Sequence, residues 1–309
     1  MLGPALLAAS KTPRIRHFVT TSRVSRGLVN RFIAGNELDA AAAAVHGLVT
    51  KGLSVTIDHL GEDTTERSQA EATRDAYSTL LNRLAAEGLA PRAEVSVKLS
   101  ALGQALPDDG TALALENARV ICTAAQQAGT TVTLDMEDHT TVDSTLSILR
   151  ELRADFPWVG AVVQSSLFRT EGDVRDLAHP GSRVRLVKGA YAEPRTVAHA
   201  KKADVDAAYK RSLAVLFAGG AYPMVASHDQ AMIDEANRLA AQYDRCSSDY
   251  ELQMLYGIRT SEQERQVAEG RQMRIYLPYG QDWYGYFMRR LAERPANLMF
   301  FMRSLASNN

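Results

Sequence analysis

Cysteine is scarce in this chain, which has only two in 309 residues, Cys122 and Cys246, with no pair at metal-binding spacing. Neither a disulfide framework nor a zinc site is therefore expected, and the sequence predicts a protein of the reducing cytoplasm. An excess of one charge is also missing, since 35 basic and 36 acidic side chains give a net charge of −1. Without a strongly basic surface, nucleic acid is not an expected partner.

Long apolar runs are absent as well. No stretch approaches the roughly 20 apolar residues that a membrane-crossing helix needs. The opening stretch MLGPALLAASKTPRIRHF is only briefly apolar and is interrupted by Pro4, so we interpret it as an N-terminal arm rather than a signal peptide. An apolar fraction of 46% and a charged fraction of 23% are ordinary for a globular protein.

Eight short apolar segments alternate with segments that place apolar residues at helical intervals. The apolar segments centre on Val55, Val97, Leu134, Val163, Leu186, Val225, Met254 and Ile275. Strands joined by helices favour a parallel sheet, and eight of them in a chain of this length favour a (βα)8 barrel. We therefore predict an α/β fold with a barrel over residues 51–309 and a helical arm over residues 1–50.

A doubly wound sheet is the structural alternative. Its dinucleotide-binding form would carry GxGxxG after an early strand, and none occurs there. Near the end of the chain, RIYLPYGQDWYGYFMRRLAERPAN predicts a strand from Met273 to Leu277, a Pro-Tyr-Gly turn and then a helix. Asp282 lies near the start of that helix, where a carboxylate suits the unpaired amides and the dipole.

Polar and ionisable residues follow most of the predicted strands, and the carboxyl ends of barrel strands share one mouth, where active sites lie. The residues at these positions, with one leucine among them, are Asp58, His59, Lys98, Asp135, Glu137, Asp138, Gln164, Arg185, Lys188, Ser227, His228, Leu255, Tyr256 and Tyr276. Taken singly, most have a plain structural explanation, such as a helix cap for Asp135. Lys98 is either an ion-pair partner of an acid such as Asp135 or a Schiff-base lysine. Together the residues favour a cavity for a polar ligand.

The adjacent pair Arg289 and Arg290 lies on the apolar, aromatic last helix. Neighbouring residues on a helix point about 100° apart, so the two cannot share one narrow outer stripe. Either one is solvated and the other half-buried, or both converge on a ligand. Arginine is suited to bind a carboxylate in bidentate fashion.

Seven motifs resemble those of the proline dehydrogenase family. They are VSVKLSALG, LDMED, VVQSS, RVRLVKGAY, ASHD, ELQMLYG and the final RIYLPYGQDWYGYFMRRLAERPAN. The resemblance runs in family order from about residue 54 to residue 297. It implies a (βα)8 barrel that binds FAD and oxidises L-proline to Δ1-pyrroline-5-carboxylate. With no second dehydrogenase domain before residue 309, the chain resembles the short, monofunctional bacterial type.

The resemblance also implies roles for individual residues. Asp135 and Arg185 are expected to be catalytic, with Arg185 near flavin N5. The expected substrate contacts are Lys98, Leu255, Tyr276, Tyr286, Arg289, Arg290 and Glu293, with the arginine pair on the carboxylate and Glu293 orienting it. The expected cofactor contacts are Met136, Gln164, Arg185, Lys188, Gly189, Ala190, Ser227 and His228.

The family resemblance further implies partners. A quinone is the expected electron acceptor, with peripheral contact at the inner face of the membrane, and a separate pyrroline-5-carboxylate dehydrogenase is expected to take the product. Three rival functions stay open at this point: a Schiff-base aldolase using Lys98, a non-catalytic flavin- or proline-binding regulator, and a hydroxyproline dehydrogenase. The last is disfavoured because Tyr276 stands where that branch has a smaller residue.

Overall fold

A parallel eight-stranded sheet organises the computed structural model, which describes residues 23–61 and 64–293. The strands are β1 (Ser54–His59), β2 (Ala93–Val97), β3 (Val132–Leu134), β4 (Ala161–Gln164), β5 (Arg183–Val187), β6 (Tyr222–Ala226), β7 (Glu251–Leu255) and β8 (Met273–Tyr279). Their order is β3-β2-β1-β8-β7-β6-β5-β4, and every paired strand is parallel to its neighbour. All eight predicted strands are present, and the prediction of an α/β barrel is confirmed.

The barrel closes between β3 and β4 through a single residue, Gly160. Its amide donates to the carbonyl of Val132, and its carbonyl accepts from the amide of Leu134, both at 2.9 Å. A Cβ at this position would lie 2.6 Å from Oγ1 of Thr133. A residue without a side chain therefore allows the two strands to approach at the seam.

Helices lie between the strands and cover the outside of the barrel. Two precede β1: α1 (Arg23–Phe32) and α2 (Leu38–Thr50). The others are α3 (Arg67–Ala86), α4 (Gly110–Ala128), α5 (Val142–Asp155), α6 (Thr170–Leu177), α7 (Lys202–Ala218), α8 (Gln230–Gln242), α9 (Thr260–Ala268) and α10 (Trp283–Glu293). None of the helices within the described ranges is long and apolar enough to cross a membrane.

Helix α3 shows how the sequence sets this covering layer. At its start, the Gln69 side chain accepts a hydrogen bond from the amide of Glu66 at 3.2 Å, as in a capping box. Its buried residues recur at helical spacing: Ala70, Tyr77, Leu80, Leu81 and Leu84. This stripe joins the outward-facing residues of β1 and β2 in one apolar core.

The segment between α1 and α2 attaches to the end of β8. The amide of Ala34 donates to the carbonyl of Pro278, and the amide of Gly280 donates to the carbonyl of Gly35, both at 3.0 Å. The prediction that β8 ends at Leu277 was wrong, because Pro278 and Tyr279 continue the pairing with β1. A proline keeps its carbonyl acceptor, so it can sit in this part of the strand.

The division of the chain at residue 50 stays a prediction. Helices α1 and α2 do precede β1, as a helical arm requires, while residues 1–22 lie outside the described part of the chain.

Candidate active site

The amino-terminal end of the barrel interior holds a closed network of buried charges. Glu94 accepts hydrogen bonds from Arg183 at 2.7 Å and from Thr56 at 2.8 Å. On the opposite side, Glu251 accepts from Nε of Arg274 at 2.7 Å. Burial alone would raise the pKa of Glu94, but the guanidinium groups of Arg183 and Arg274, with that of Arg185, lower it below its ordinary value.

A cavity of about 230 Å³ opens over this end of the barrel, lined in part by Arg183, Tyr222 and Arg274. Its charged groups bond to one another, since Nη1 of Arg183 also donates to Thr131 at 2.9 Å and the hydroxyl of Tyr222 donates to Glu251 at 3.1 Å. The cavity therefore lies over polar groups that already bind other groups of the protein, at the end of the barrel opposite the usual active site.

Arg185 occupies the middle of the barrel and is almost fully buried. Its Nε donates to Oε1 of Gln253 at 2.7 Å, and its Nη1 donates to Oγ of Ser96 at 2.9 Å and to Asp135 at 2.7 Å. Its Nη2 makes no hydrogen bond within the described residues and lies 3.8 Å from Oε1 of Glu94, a member of the amino-terminal network.

Asp135, just beyond β3, is the centre of a cluster at the carboxyl end. Besides Arg185, its carboxylate accepts from Oγ of Ser96 and from the hydroxyl of Tyr276, both at 2.7 Å. Burial first, and then the charges of Asp135 and Asp58, raise the pKa of Tyr276 well above its ordinary value. Tyr276 therefore remains a protonated hydrogen-bond donor, and the Arg185 guanidinium lies 5.4 Å from its ring centre.

Lys98 completes the cluster from the end of β2. Its ammonium donates to Oδ2 of Asp58 at 2.6 Å and lies 4.0 Å from Asp135. The shorter of these two ion pairs is thus the one with Asp58, from the neighbouring strand. The buried hydroxyl of Tyr77, from α3, donates to the carbonyl of Ser96 at 2.7 Å and fixes the strand beneath the cluster.

A second group of predicted residues lies along β3, β4 and β5. The side-chain amide of Gln164 donates to the carbonyl of Glu137 at 2.7 Å, next to Met136. The carboxylate of Glu137 in turn accepts from the amide of Ser100 at 3.0 Å and from its hydroxyl at 2.6 Å. These bonds fix the backbone after β3 against the end of β4 and against the segment that follows β2.

Gly189 lies beside Gln164 with a left-handed backbone, at φ +107°. A Cβ here would lie 2.2 Å from Oγ of Ser166 and 3.4 Å from Oε1 of Gln164, so glycine is required. Gly189 and Ala190 are exposed and present their backbone at the mouth of the barrel.

Lys188 is held by two carboxylates, with its ammonium 2.5 Å from Asp206 and 2.7 Å from Asp229. The hydrogen bond from Lys188, together with smaller favourable contacts, lowers the pKa of Asp229 to about 2. The hydroxyl of Ser227 accepts from the amide of Asp229 at 3.1 Å. This predicted cofactor-binding cation therefore sits in a salt-bridge cluster.

His228 connects the end of β6 to the end of β7. Nε2 of its ring accepts from the amide of Leu255 at 3.0 Å. Because that nitrogen is an acceptor, the neutral ring carries its hydrogen on Nδ1. The carbonyl of Leu255 accepts from the side chain of Gln263 at 3.1 Å. Leu255, the predicted apolar contact of the substrate, is therefore hydrogen-bonded at both its amide and its carbonyl.

Helix α10 brings its aromatic face to the same mouth. Tyr286 is buried in an apolar cluster with residues of α1, and Leu255 and Tyr276 pack against that cluster. Arg289 and Arg290 are both half-buried, and the guanidinium of Arg290 lies 5.1 Å from the ring centre of Tyr286. The side chain of Glu293, the last residue of the helix, lies outside the described part of the chain.

The structure thus joins Asp135, Arg185 and Tyr276 by hydrogen bonds and places Lys98 4.0 Å from Asp135. The sequence predicted these neighbours only in part. Two members were missed, Ser96 and Gln253, which contact Arg185 directly. The available signal was alternation: both are polar residues at alternate positions of otherwise apolar strands, which marks an inward direction.

An eight-stranded barrel with buried acids, an arginine and a tyrosine at its carboxyl mouth has the architecture of a (βα)8 enzyme. The sequence model of the family described as "Proline dehydrogenase" matches residues 41–303. A proline dehydrogenase of Deinococcus radiodurans is 39% identical over 303 residues, covering 97% of this chain and 96% of that protein. Proline dehydrogenase 2 of Bacillus subtilis is 40% identical, covering 92% of this chain and 91% of that protein. The chain belongs to the proline dehydrogenase family.

Solved structures agree with this assignment. The crystal structure of proline utilization A (PutA) from Bdellovibrio bacteriovorus, inactivated by N-propargylglycine, matches with a TM-score of 0.81 and 27% identity. The match covers 87% of this chain but only 33% of that one, so the similarity concerns about a third of the larger protein.

Proposed function

We propose that this protein oxidises L-proline to Δ1-pyrroline-5-carboxylate, the first step of proline catabolism, with FAD as its cofactor. The observation that supports it most is the buried cluster around Asp135, where Arg185, Tyr276 and the Lys98–Asp58 pair meet at the barrel mouth of a chain of this family. Such a cluster is costly to bury for stability alone, and its place at the mouth favours a catalytic role.

Three features of the carboxyl mouth fit a flavin, the cofactor on which this family depends. Arg185 is a buried cation fixed by Asp135 at 2.7 Å, suited to a polar ring edge. Gln164 has its orientation fixed by the Glu137 carbonyl, as a ring contact needs. The exposed backbone at Gly189 and Ala190 allows close approach of a phosphate or ribityl chain.

In this proposal, Arg185, Gln164 and the backbone at Met136 hold the flavin ring. The contacts to the ribityl and phosphate groups come from Lys188, Gly189, Ala190, Ser227 and His228. A phosphate contact by Lys188 would be shared with Asp206 and Asp229, which already bind its ammonium. The chemistry that FAD supplies when bound is acceptance, at N5, of the hydride equivalent that leaves C5 of proline.

The substrate side is proposed to recognise the two ends of proline separately. Arg289 and Arg290 bind the carboxylate, with Glu293 orienting them, because paired guanidinium groups match a carboxylate. Tyr276, Tyr286 and Leu255 line the ring, and their packing in one apolar cluster supports this. Lys98 is held by Asp58 beside this wall.

Asp135 and Arg185 are the residues that we propose to be catalytic. Asp135 fixes Arg185 and Tyr276 at the same time, so one carboxylate sets the positions of a buried cation and of a ring-lining side chain. The positive charge of Arg185 favours negative charge that develops near it during oxidation, and no solvent reorganisation is needed because the group is already oriented.

The aldolase rival fits this geometry less well. A Schiff-base lysine must present a neutral amine, whereas Lys98 donates to the buried carboxylate of Asp58 at 2.6 Å. The hydroxyproline rival is disfavoured because the bulk of Tyr276 is present and its hydroxyl is engaged by Asp135.

Turnover needs an electron acceptor and a route for the product. We propose a quinone as the acceptor, with peripheral contact at the inner face of the membrane, and a separate pyrroline-5-carboxylate dehydrogenase as the consumer of the product.

An anaerobic titration of the purified, FAD-loaded protein with L-proline tests the proposed function. We expect the flavin absorbance near 450 nm to bleach in proportion to added proline, and 4-hydroxyproline to bleach it more slowly. Bound flavin that proline does not reduce would support the regulator instead. Borohydride trapping of a carbonyl substrate on Lys98, in protein that binds no flavin, would support the aldolase.

A further inference from the structure

Arg259, between β7 and α9, has an unusual backbone for its residue type. Its φ of +52° and ψ of +44° lie in the left-handed region, which a non-glycine residue adopts at a cost. Such a conformation persists where surrounding contacts determine it, and these positions concentrate at functional sites. No role was expected of Arg259 from the sequence.

The guanidinium of Arg259 reaches the neighbouring loop, between β6 and α8. Nη1 donates to the carbonyl of His228 at 2.6 Å, and Nη2 donates to Oε1 of Gln230 at 2.8 Å. Two donors in the fixed fork of one guanidinium thus fix both the backbone at His228 and the first residue of α8. A third contact, with Glu262 at 3.6 Å, lies within α9 itself.

The bond to the His228 carbonyl is one half of a two-way connection between the loops. In the other direction, the ring of His228 accepts the amide of Leu255, and Gln263 of α9 binds the Leu255 carbonyl. Leu255 is followed by only three residues before Arg259, so the loop that carries Arg259 is the one that begins at the proposed substrate wall.

We propose that Arg259 is a positioning residue that fixes His228 relative to Leu255. It thereby keeps a proposed cofactor contact, His228, and a proposed substrate contact, Leu255, at a fixed distance from each other. This inference rests on the proposed function for the names of the two contacts. The two hydrogen bonds, from Arg259 to the His228 carbonyl and from the Leu255 amide to the His228 ring, are present in the protein without ligand. We call this pair of bonds the clasp. The proposal predicts that loss of the Arg259 guanidinium weakens the bond between the His228 ring and the amide of Leu255, and so exposes that amide to solvent.

The Arg259→Gly variant removes both hydrogen bonds and also relieves the backbone, because glycine adopts the left-handed region freely. Positioning and stability can therefore be separated. We expect the thermal midpoint to stay within the range of the wild type, while hydrogen exchange at the Leu255 amide accelerates about tenfold. FAD should bind about tenfold more weakly, as measured by quenching of flavin fluorescence on titration into the apoprotein.

Arg265→Met is the matched control, since Arg265 lies on α9, directly after Arg259, and its ion pairs within the described residues are with Glu262 and Glu269. It should leave both the exchange of Leu255 and the affinity for FAD unchanged. Arg259→Lys keeps the positive charge but loses the two forked donors of the guanidinium. Its hydrogen exchange at Leu255 and its affinity for FAD should both fall between those of Arg259→Gly and the wild type.

Unchanged exchange at Leu255 in Arg259→Gly would overturn the proposal, as would acceleration that extends equally to the amides of β2, which would mean a general loss of stability. Wild-type protein that binds no flavin would overturn the proposed function. The exchange comparison would then still decide whether Arg259 holds the clasp.

Discussion

The two ends of the barrel interior use buried charge differently. At the amino-terminal end, Glu94 and Glu251 bind arginines and hydroxyls of the same layer. At the carboxyl-terminal end, Asp135 binds Arg185 and Tyr276 at the mouth, and the backbone at Gly189 is exposed. Ion pairs enclosed at the amino-terminal end hold the barrel together, whereas charged groups at the mouth, beside exposed backbone, are placed where a ligand can bind.

Strand β5 contributes one arginine to each end of the barrel interior, and the two are only two residues apart. Arg183 and Arg185 both point into the barrel, and each binds a carboxylate at 2.7 Å. Arg183 belongs to the amino-terminal network through Glu94, and Arg185 belongs to the proposed active site through Asp135. Variants at the amino-terminal end should therefore lower stability more than activity, and variants at the carboxyl-terminal end should lower activity more than stability.

The largest expected effect is on stability, from Glu94→Leu. The change leaves Arg183 without its buried carboxylate, and breaking a buried ion pair from one side costs about 3–5 kcal/mol. We expect the free energy of unfolding, measured with urea, to fall by that amount, while the remaining folded protein still binds FAD. Glu264→Leu is the control, because its bridge to Lys51 is exposed on both sides and is worth about 0–1 kcal/mol. Equal losses in the two variants would contradict the assignment of the amino-terminal network to stability.

At the other end, Arg289→Met should reduce activity with little loss of stability. A charged contact to a buried carboxylate is worth about 2–5 kcal/mol when one partner is removed, so the KM for proline should rise at least about 30-fold. FAD content should survive, since the proposed flavin contacts lie on other elements. Near-normal Michaelis behaviour would show that Arg289 does not bind the substrate carboxylate.

Tyr276→Ser tests ring recognition within the same end. Loss of contact with the C4 edge of proline, on the scale of about 1–3 kcal/mol, should lower kcat/KM for proline about 10- to 200-fold. Hydroxyproline should lose less, because its hydroxyl can fill the new space, so the ratio of hydroxyproline to proline efficiency should rise. Tyr222→Phe, at the amino-terminal end, serves as the control and should leave the ratio unchanged. An unchanged ratio in Tyr276→Ser would place the proline ring elsewhere.

The smallest effect concerns the pH dependence of stability. The folded protein holds the pKa of Glu94 below its ordinary value, so the unfolded chain takes up this proton first as the pH falls. The contribution of Glu94 is therefore complete above about pH 5 and is lost as the pH falls toward the folded value, with a slope of up to about 1.4 kcal/mol per pH unit. Glu94→Gln should unfold with a shallower dependence between pH 5 and pH 3. Parallel curves for variant and wild type would mean that Glu94 is not held as a carboxylate.

Much of the fold could be predicted because the eight strands are apolar runs with helical segments between them. The predicted carboxyl ends of the strands then indicated which residues lie at the mouth, among them Lys98, Asp135, Arg185 and Tyr276. The distances between partners were harder to predict, because they depend on strand register. Lys98 lies 2.6 Å from Asp58 and 4.0 Å from Asp135, and Asp58 is brought beside it by the pairing of β1 with β2.

The amino-terminal network escaped prediction for a similar reason. Glu94, Glu251 and Arg274 alternate with apolar residues, which marks an inward direction, but they meet only after the barrel closes and brings distant strands face to face. The left-handed backbone of Arg259 also has no sequence signal, since glycine is the residue that usually indicates that conformation.

The contrast along β5 gives the most direct test of the account. Arg183→Met and Arg185→Met are compared by stopped-flow reduction of bound flavin with saturating L-proline under anaerobic conditions. We expect Arg185→Met to slow flavin reduction at least about 100-fold, the scale on which loss of one preorganised electrostatic contact acts. Arg183→Met should reduce flavin within about threefold of the wild-type rate despite a lower thermal midpoint. Equal slowing in both variants, or a normal rate in Arg185→Met, would contradict the assignment of the active site to the carboxyl-terminal end.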